Sequence, residues 1–408
     1  MLIMNQFLKI RCSLVIFSTI FFSQLFGQNS KIVISEQWRY GNNNSPIFFK
    51  AKSKTDDLKN VYVIGATLNS LNNRDLVIQK IDPFGNLIWQ NTLSGDANLD
   101  DVGTDLLIDD QYNVYVTGTV NRLGTQEDLV VIKYSSLGVV IWEYFKDAPE
   151  SEGGTSLILN SNKIFVTGVT SSLATQTDYL TVSLDATNGA FLWSNTYDYS
   201  NLNEVPASIS IRNNDLYVSG ASQLTSTPNV KWEIATIKYD ATNGNENSVD
   251  RSSGNATQGI DEVHDILIDN NGDIFLVGGI VNQTTGYDIA IIKLDSNLNL
   301  IWQQIIDENG LDDVAYGIKL DNTGNIYITG FSTSPNESKN IFLKKIDNSG
   351  VELWGRVLKG ESNLDDTGIE VCLINDTTIF ITGYIRNNLD ADVIISGFNH
   401  NGQILCTI

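Results

Sequence analysis

The sequence predicts an all-β fold, a seven-bladed β-propeller of four-stranded antiparallel blades, on three observations. A short strand ending in glycine recurs seven times: VYVIG to Gly65, VYVTG to Gly118, IFVTG to Gly168, LYVSG to Gly220, IFLVG to Gly278, IYITG to Gly330 and IFITG to Gly383. A tryptophan follows about 24 residues later in five copies, at Trp89, Trp142, Trp193, Trp302 and Trp354. No stretch of helical length after residue 27 shows a 3.6-residue apolar period, which leaves strands as the only regular element.

Each unit is read in the same order. In the second copy a first strand spans 103–109 (GTDLLID), followed by NVYVTG, DLVVIKY and VVIWEY. The third-strand runs, from Asp75, Asp128, Asp178, Glu233, Asp288, Asn340 and Asp392, are β-branched and aromatic without clean alternation, the pattern of a strand buried on both faces. DPFGN at Asp82, DATNG at Asp185 and Asp240, DNSG at Asp347 and NHNG at Asn399 supply the Asx and Gly residues that tight hairpins need. Seven sheets, each to be covered on both faces, are satisfied by radial stacking about an axis and by no single flat sheet. Residues 28–408 are therefore expected to form one domain.

DNTGNIYITG (321–330) and DNNGDIFLVG (269–278) resemble the secreted bacterial β-propeller repeat family often labelled SBBP, over residues 38–408. The resemblance implies the fold and export, and hardly any activity. DATNGAFLW (185–193) is similar to the tryptophan-docking motif of quinoprotein dehydrogenases; only the third copy carries it well, and the vicinal cysteines of many quinoprotein alcohol dehydrogenases are missing, so shared blade geometry accounts for the match.

Of 408 residues, 48 are acidic and 26 basic, for a net charge of −22. Such a surface repels nucleic acid and anionic lipid. Residues 1–27 combine Lys9 and Arg11 with an apolar run (13–26) and no acid, the pattern of a cleaved signal peptide. Export to the cell surface, periplasm or medium is the expectation, with no membrane span in the mature chain. Cys372 and Cys406 alone remain after residue 27, too few for a disulfide framework.

Repeated residues are expected to serve the blades. Lys80, Lys133, Lys238, Lys293 and Lys345 read as blade-to-blade ion pairs or solvated strand ends, and the tryptophans as filling between blades. The acidic pairs Asp100–Asp101, Asp312–Asp313 and Asp365–Asp366 fall on one rim, where paired carboxylates suit calcium; turn-forming aspartates that accept N–H groups are the alternative. No other cofactor is implied. Residues that break the repeat are better ligand candidates. These are Trp232, in the irregular fourth copy that has Ser248 in place of its tryptophan, Arg251 nearby, and His264 within DEVHD.

The expected function is a non-catalytic, monomeric, exported scaffold whose rim loops meet an extracellular or envelope protein or a glycan. The competing reading is a propeller enzyme on polysaccharide, with acid–base work by Asp100, Asp312 or Asp365. A cavity near the axis separates the two readings: an enzyme is expected to place two or three of the irregular residues around it, and a scaffold only the repeated residues. Closure of the ring is assigned to 403–408 (QILCTI) as the last strand of the seventh blade, with 32–38, ending in Trp38, added along its edge.

Overall fold

The computed structural model describes residues 52–407, apart from 72, 147–150, 173–175, 200, 227–228, 336–337, 361–362, 375–377 and 387–390. The expected signal peptide and the strand ending at Trp38 lie outside these residues. Blade 1 is β1 (Lys52–Thr55), β2 (Val61–Leu68), β3 (Arg74–Ile81) and β4 (Leu87–Leu93). Blade 2 is β5 (Val102–Ile108), β6 (Val114–Arg122), β7 (Gln126–Tyr134) and β8 (Val140–Lys146). Blade 3 is β9 (Ser151–Asn160), β10 (Lys163–Ser172), β11 (Gln176–Asp185) and β12 (Phe191–Tyr197). Blade 4 is β13 (Glu204–Arg212), β14 (Asp215–Thr225), β15 (Lys231–Asp240) and β16 (Glu246–Ser252), and β17 (Gly259–Ile260) pairs in parallel with Lys231 and Trp232 of β15. Blade 5 is β18 (Glu262–Ile268), β19 (Ile274–Asn282), β20 (Gly286–Leu294) and β21 (Leu300–Ile306). Blade 6 is β22 (Asp313–Leu320), β23 (Ile326–Thr333), β24 (Lys339–Ile346) and β25 (Glu352–Leu358). Blade 7 is β26 (Thr367–Ile374), β27 (Thr378–Arg386), β28 (Ala391–Asn399) and β29 (Ile404–Thr407). Each sheet is an antiparallel meander in chain order, and the fold is the expected seven-bladed propeller.

The core is divided between the blades. On β6, Val114 and Val116 pack toward blade 1 with Tyr62 and Ile64, while Tyr115 packs toward blade 3 with Ile164 and Val166. Alternate side chains of one strand thus enter two different interfaces, which is why the middle strands read as continuous apolar runs. The outer strands cover nothing on their far side and expose residues such as Ile141, Leu192 and Ile301.

A staple joins neighbouring blades at the rim of the hairpin turns. Trp89, Trp142, Trp193, Trp302 and Trp354 each donate the indole N–H to a turn carbonyl of the next blade, at Ser136, Ala186, Ala241, Asn348 and His400. Lys80 and Lys133 reach the same carbonyls, of Ser136 and Ala186, and Lys238 reaches that of Ser296 in the corresponding turn of blade 5. The lysines also sit over the ring of their own blade's second strand and beside its turn carboxylate, as Lys133 does with Tyr115 (4.7 Å) and Asp109 (4.0 Å). The ion pairs are therefore within the blade; the contact between blades is a hydrogen bond to a carbonyl. Both roles place the repeated lysines and tryptophans in the framework.

Candidate functional site

The repeated glycine does not end the second strand, as the sequence suggests, but lies within it, and it builds the axial site. In blades 2–7 the first strand bulges opposite this glycine, so one residue has no partner on the second strand: Thr104, Thr155, Ala207, His264, Tyr316 and Ile369. The bulge brings a first-strand carbonyl to where a Cβ would stand. That atom would lie 2.1 Å from Val102 O at Gly118, and 1.9 Å from Glu262 O at Gly278 and from Val314 O at Gly330. Only glycine fits there. A bulge re-aims the side chain it leaves unpaired, and all six of these residues line one axial cavity of about 2380 Å³.

Five of the six bulge residues carry no signature in the sequence. Blades 2, 3 and 4 present Thr, Thr and Ala, whereas blades 5, 6 and 7 present His264, Tyr316 and Ile369, so one side of the mouth is open and the other is walled. His264 and Tyr316 rings lie 4.4 Å apart. His264 Nε2 is itself buried and stands 3.2 Å from Glu262 Oε1. Trp232 lines the same cavity, held at the start of β15 by pairing with Ile260 of β17. The polar loop of the irregular fourth copy thus becomes a fifth, two-residue strand that sets an indole at the mouth.

Deeper, the wall is charged. Lys52 pairs with Asp105 at 3.3 Å. Burial opposes the charge of Lys54, but Glu370 and Asp105 outweigh it and raise the ammonium above its ordinary range. Burial and Glu370 push the Cys372 thiol up to about 12, so it is no nucleophile at neutral pH.

Of the three ligand candidates, the structure places Trp232 and His264 on this cavity and Arg251 elsewhere. Arg251 donates to Glu233 Oε2 (3.3 Å), Tyr197 Oη (3.0 Å) and Ser222 Oγ (3.1 Å), and its guanidinium stacks 3.8 Å from the centre of the Tyr199 ring. It is a strut between blades 3 and 4 and does not line the cavity.

The acidic pairs act as latches. Asp101 accepts the N–H groups of Gly95 (2.6 Å) and Asn121 (2.7 Å), fastening the connection from blade 1 to the second strand of blade 2. Asp313 takes those of Glu308 and Thr333, and Asp366 those of Gly360 and Arg386. The first member of each pair turns to the preceding blade: Asp100 to Arg74 N, Asp312 to Tyr287 N and Asp365 to Lys339 N. The six carboxylates are spread over three junctions; both oxygens of Asp101, Asp313 and Asp366 and one oxygen each of Asp100, Asp312 and Asp365 accept backbone N–H groups, the alternative use named above for them. Burial raises Asp313 to about 7, with its two N–H partners working against the shift.

The richest cluster of carboxylates lies elsewhere, at the junction of blades 3 and 4. Asp178, Asp198 and Glu204 each offer an oxygen, and these atoms lie within 4.8 Å of one another. Glu204 is fully buried. Burial, reinforced by Asp178 and Asp198, raises it to about 8 against the pull of hydrogen bonds from the Tyr199 N–H and Ser222.

No family model matches the chain, and no curated protein does. Solved structures match over most of its length. The periplasmic gluconolactonase of Pseudomonas aeruginosa is 9% identical, over 85% of this chain and 95% of that one, with a TM-score of 0.47. Drosophila Plexin A, in its complex with Semaphorin 1b, is 9% identical over 86% of both chains, with a TM-score of 0.45. The quinohemoprotein alcohol dehydrogenase of Comamonas testosteroni is 9% identical over 88% of this chain and 77% of that one, with a TM-score of 0.42.

Proposed function

We propose that this chain is an exported binding propeller that holds a glycan at the walled side of its axial mouth without transforming it. One observation carries the reading: Trp232, His264 and Tyr316 line one axial cavity. A glycan is favoured because an indole face stacks on the apolar face of a sugar ring, while the half-exposed carboxylate of Glu262 supplies an acceptor for hydroxyls. The resemblance to exported bacterial repeat propellers and the signal-peptide pattern agree with an extracellular or envelope ligand.

An enzyme acting on polysaccharide is the second reading. Irregular residues around an axial cavity are the arrangement expected of an enzyme; Asp100, Asp312 and Asp365 do not line that cavity, whose carboxylates include Asp265, Glu370 and Glu262, the last 3.2 Å from His264. A glycan array probed with residues 28–408 tests both readings. The expected result is retention of a restricted set of polysaccharides, weakened at least tenfold by Trp232→Ala and by Tyr316→Ala and unaffected by Phe84→Ala on a distant turn. Retention of no glycan, or equal retention by Trp232→Ala, overturns the site. Release of new reducing ends that is lost in Glu262→Gln establishes the enzyme instead.

A further inference from the structure

The junction of blades 3 and 4 departs from the latch at four of the other junctions. Asp101, Asp261, Asp313 and Asp366 each spend both carboxylate oxygens on two backbone N–H groups. At this junction the pair is Asn203–Glu204, one methylene longer at the second position. Glu204 keeps one backbone donor, the Tyr199 N–H, and accepts from Ser222 Oγ at Oε1 (3.2 Å), while Oε2 is buried without any hydrogen-bond partner. An orphaned, fully buried carboxylate oxygen is costly unless something polar meets it. Arg251, the cation on this junction, is directed at Glu233, Tyr197 and Ser222.

Asp178 at the start of β11, Asp198 just after β12 and Glu204 at the start of β13 bring three oxygens within 4.8 Å of one another. Calcium binds oxygen at about 2.3–2.6 Å, so oxygens on opposite sides of one ion stand about 4.8 Å apart. Three oxygens inside that limit surround a single ion, and the exposed side of Asp198 admits it with water as the remaining ligands. We propose that Asp178, Asp198 and Glu204 form a calcium-type divalent cation site that clamps blade 3 to blade 4. The ion takes the place of the aspartate latch and steadies the blade that carries Trp232.

Terbium luminescence sensitised by Tyr197 and Tyr199, with calorimetric titration of calcium, tests the site on residues 28–408. One saturable ion per chain is expected, with calcium displacing terbium and raising the melting temperature through linkage. Asp198→Asn and Glu204→Gln are each expected to weaken binding at least tenfold, while Asp100→Asn leaves it unchanged. Asp198 is exposed, so its variant keeps the test open if Glu204→Gln does not fold. No saturable binding, undiminished binding in Asp198→Asn, or a loss in Asp100→Asn overturns the proposal.

Discussion

Gly278 shows how one residue serves both frame and site. Its missing Cβ leaves room for Glu262 O, and that approach is the bulge which turns His264 into the axial cavity. Glycine here answers to contact, not to dihedral freedom, because its φ is not in the left-handed region. Gly278→Ala must therefore undo the bulge or force the strands apart. The expected cost is at least the roughly 1–3 kcal/mol typical of overpacking, read by urea denaturation. Loss of whatever ligand the His264 side holds should accompany it. A variant as stable as the parent would show that the bulge does not demand glycine. The hairpin glycines have a second reason to be glycine. Gly189 lies at φ 74 with the Trp142 ring 2.7 Å from where a Cβ would be, so dihedral and contact both exclude a side chain.

At the scale of the element, the junction of blades 4 and 5 carries its own compensation. Ser248 pairs with Lys238 in the register where other blades pair a lysine with tryptophan, as Lys133 pairs with Trp142. The facing turn of blade 5 has Leu298 where its counterparts have glycine. Leu298 holds φ 68, a conformation that costs a non-glycine residue, and its side chain is buried in the interface core. With no indole pressing on the turn, a leucine can occupy the vacated volume. Ser248→Trp alone should destabilise by collision with Leu298, and Leu298→Gly alone by opening a cavity, in the range of about 2–5 kcal/mol for a lost leucine. The double variant should recover much of both losses, a coupling that a double-mutant cycle in urea measures directly. Additive losses would show that the two positions do not share that space.

For the molecule as a whole, the question is how a ring of sheets avoids loose edges. The last strand comes from the C-terminus: β29 pairs with β28 through Ser396–Thr407, Gly397–Cys406 and Phe398–Ile404. This agrees with the assignment of 403–408 to the seventh blade; its partner claim for 32–38 lies outside the described residues. Cys406 occupies the register of the tryptophan in other blades, so this outer strand carries no indole staple. Deleting 403–408 should expose the edge of β28 and lower the melting temperature by many degrees, with aggregation of the unpaired edge. A deletion that melts like the intact chain would place the closing strand elsewhere.

The sequence by itself determined the blade count, the order of strands and the turns, because a repeat of 50–58 residues multiplies each local signal sevenfold and the local chemistry of Asx, Gly and β-branched residues acts within a few positions. It also separated framework from candidate: the tryptophans and lysines proved to be staples, and Trp232 and His264 do meet on one cavity. Only the tertiary structure decided which residues face the axis, since a bulge shifts register by one residue and nothing in the composition of Thr104, Ala207 or Tyr316 announces it. The same holds for Arg251 and for the cluster of Asp178, Asp198 and Glu204. Their partners come from different strands of two blades, and the distances that make them a strut and a cation site arise only when those blades pack.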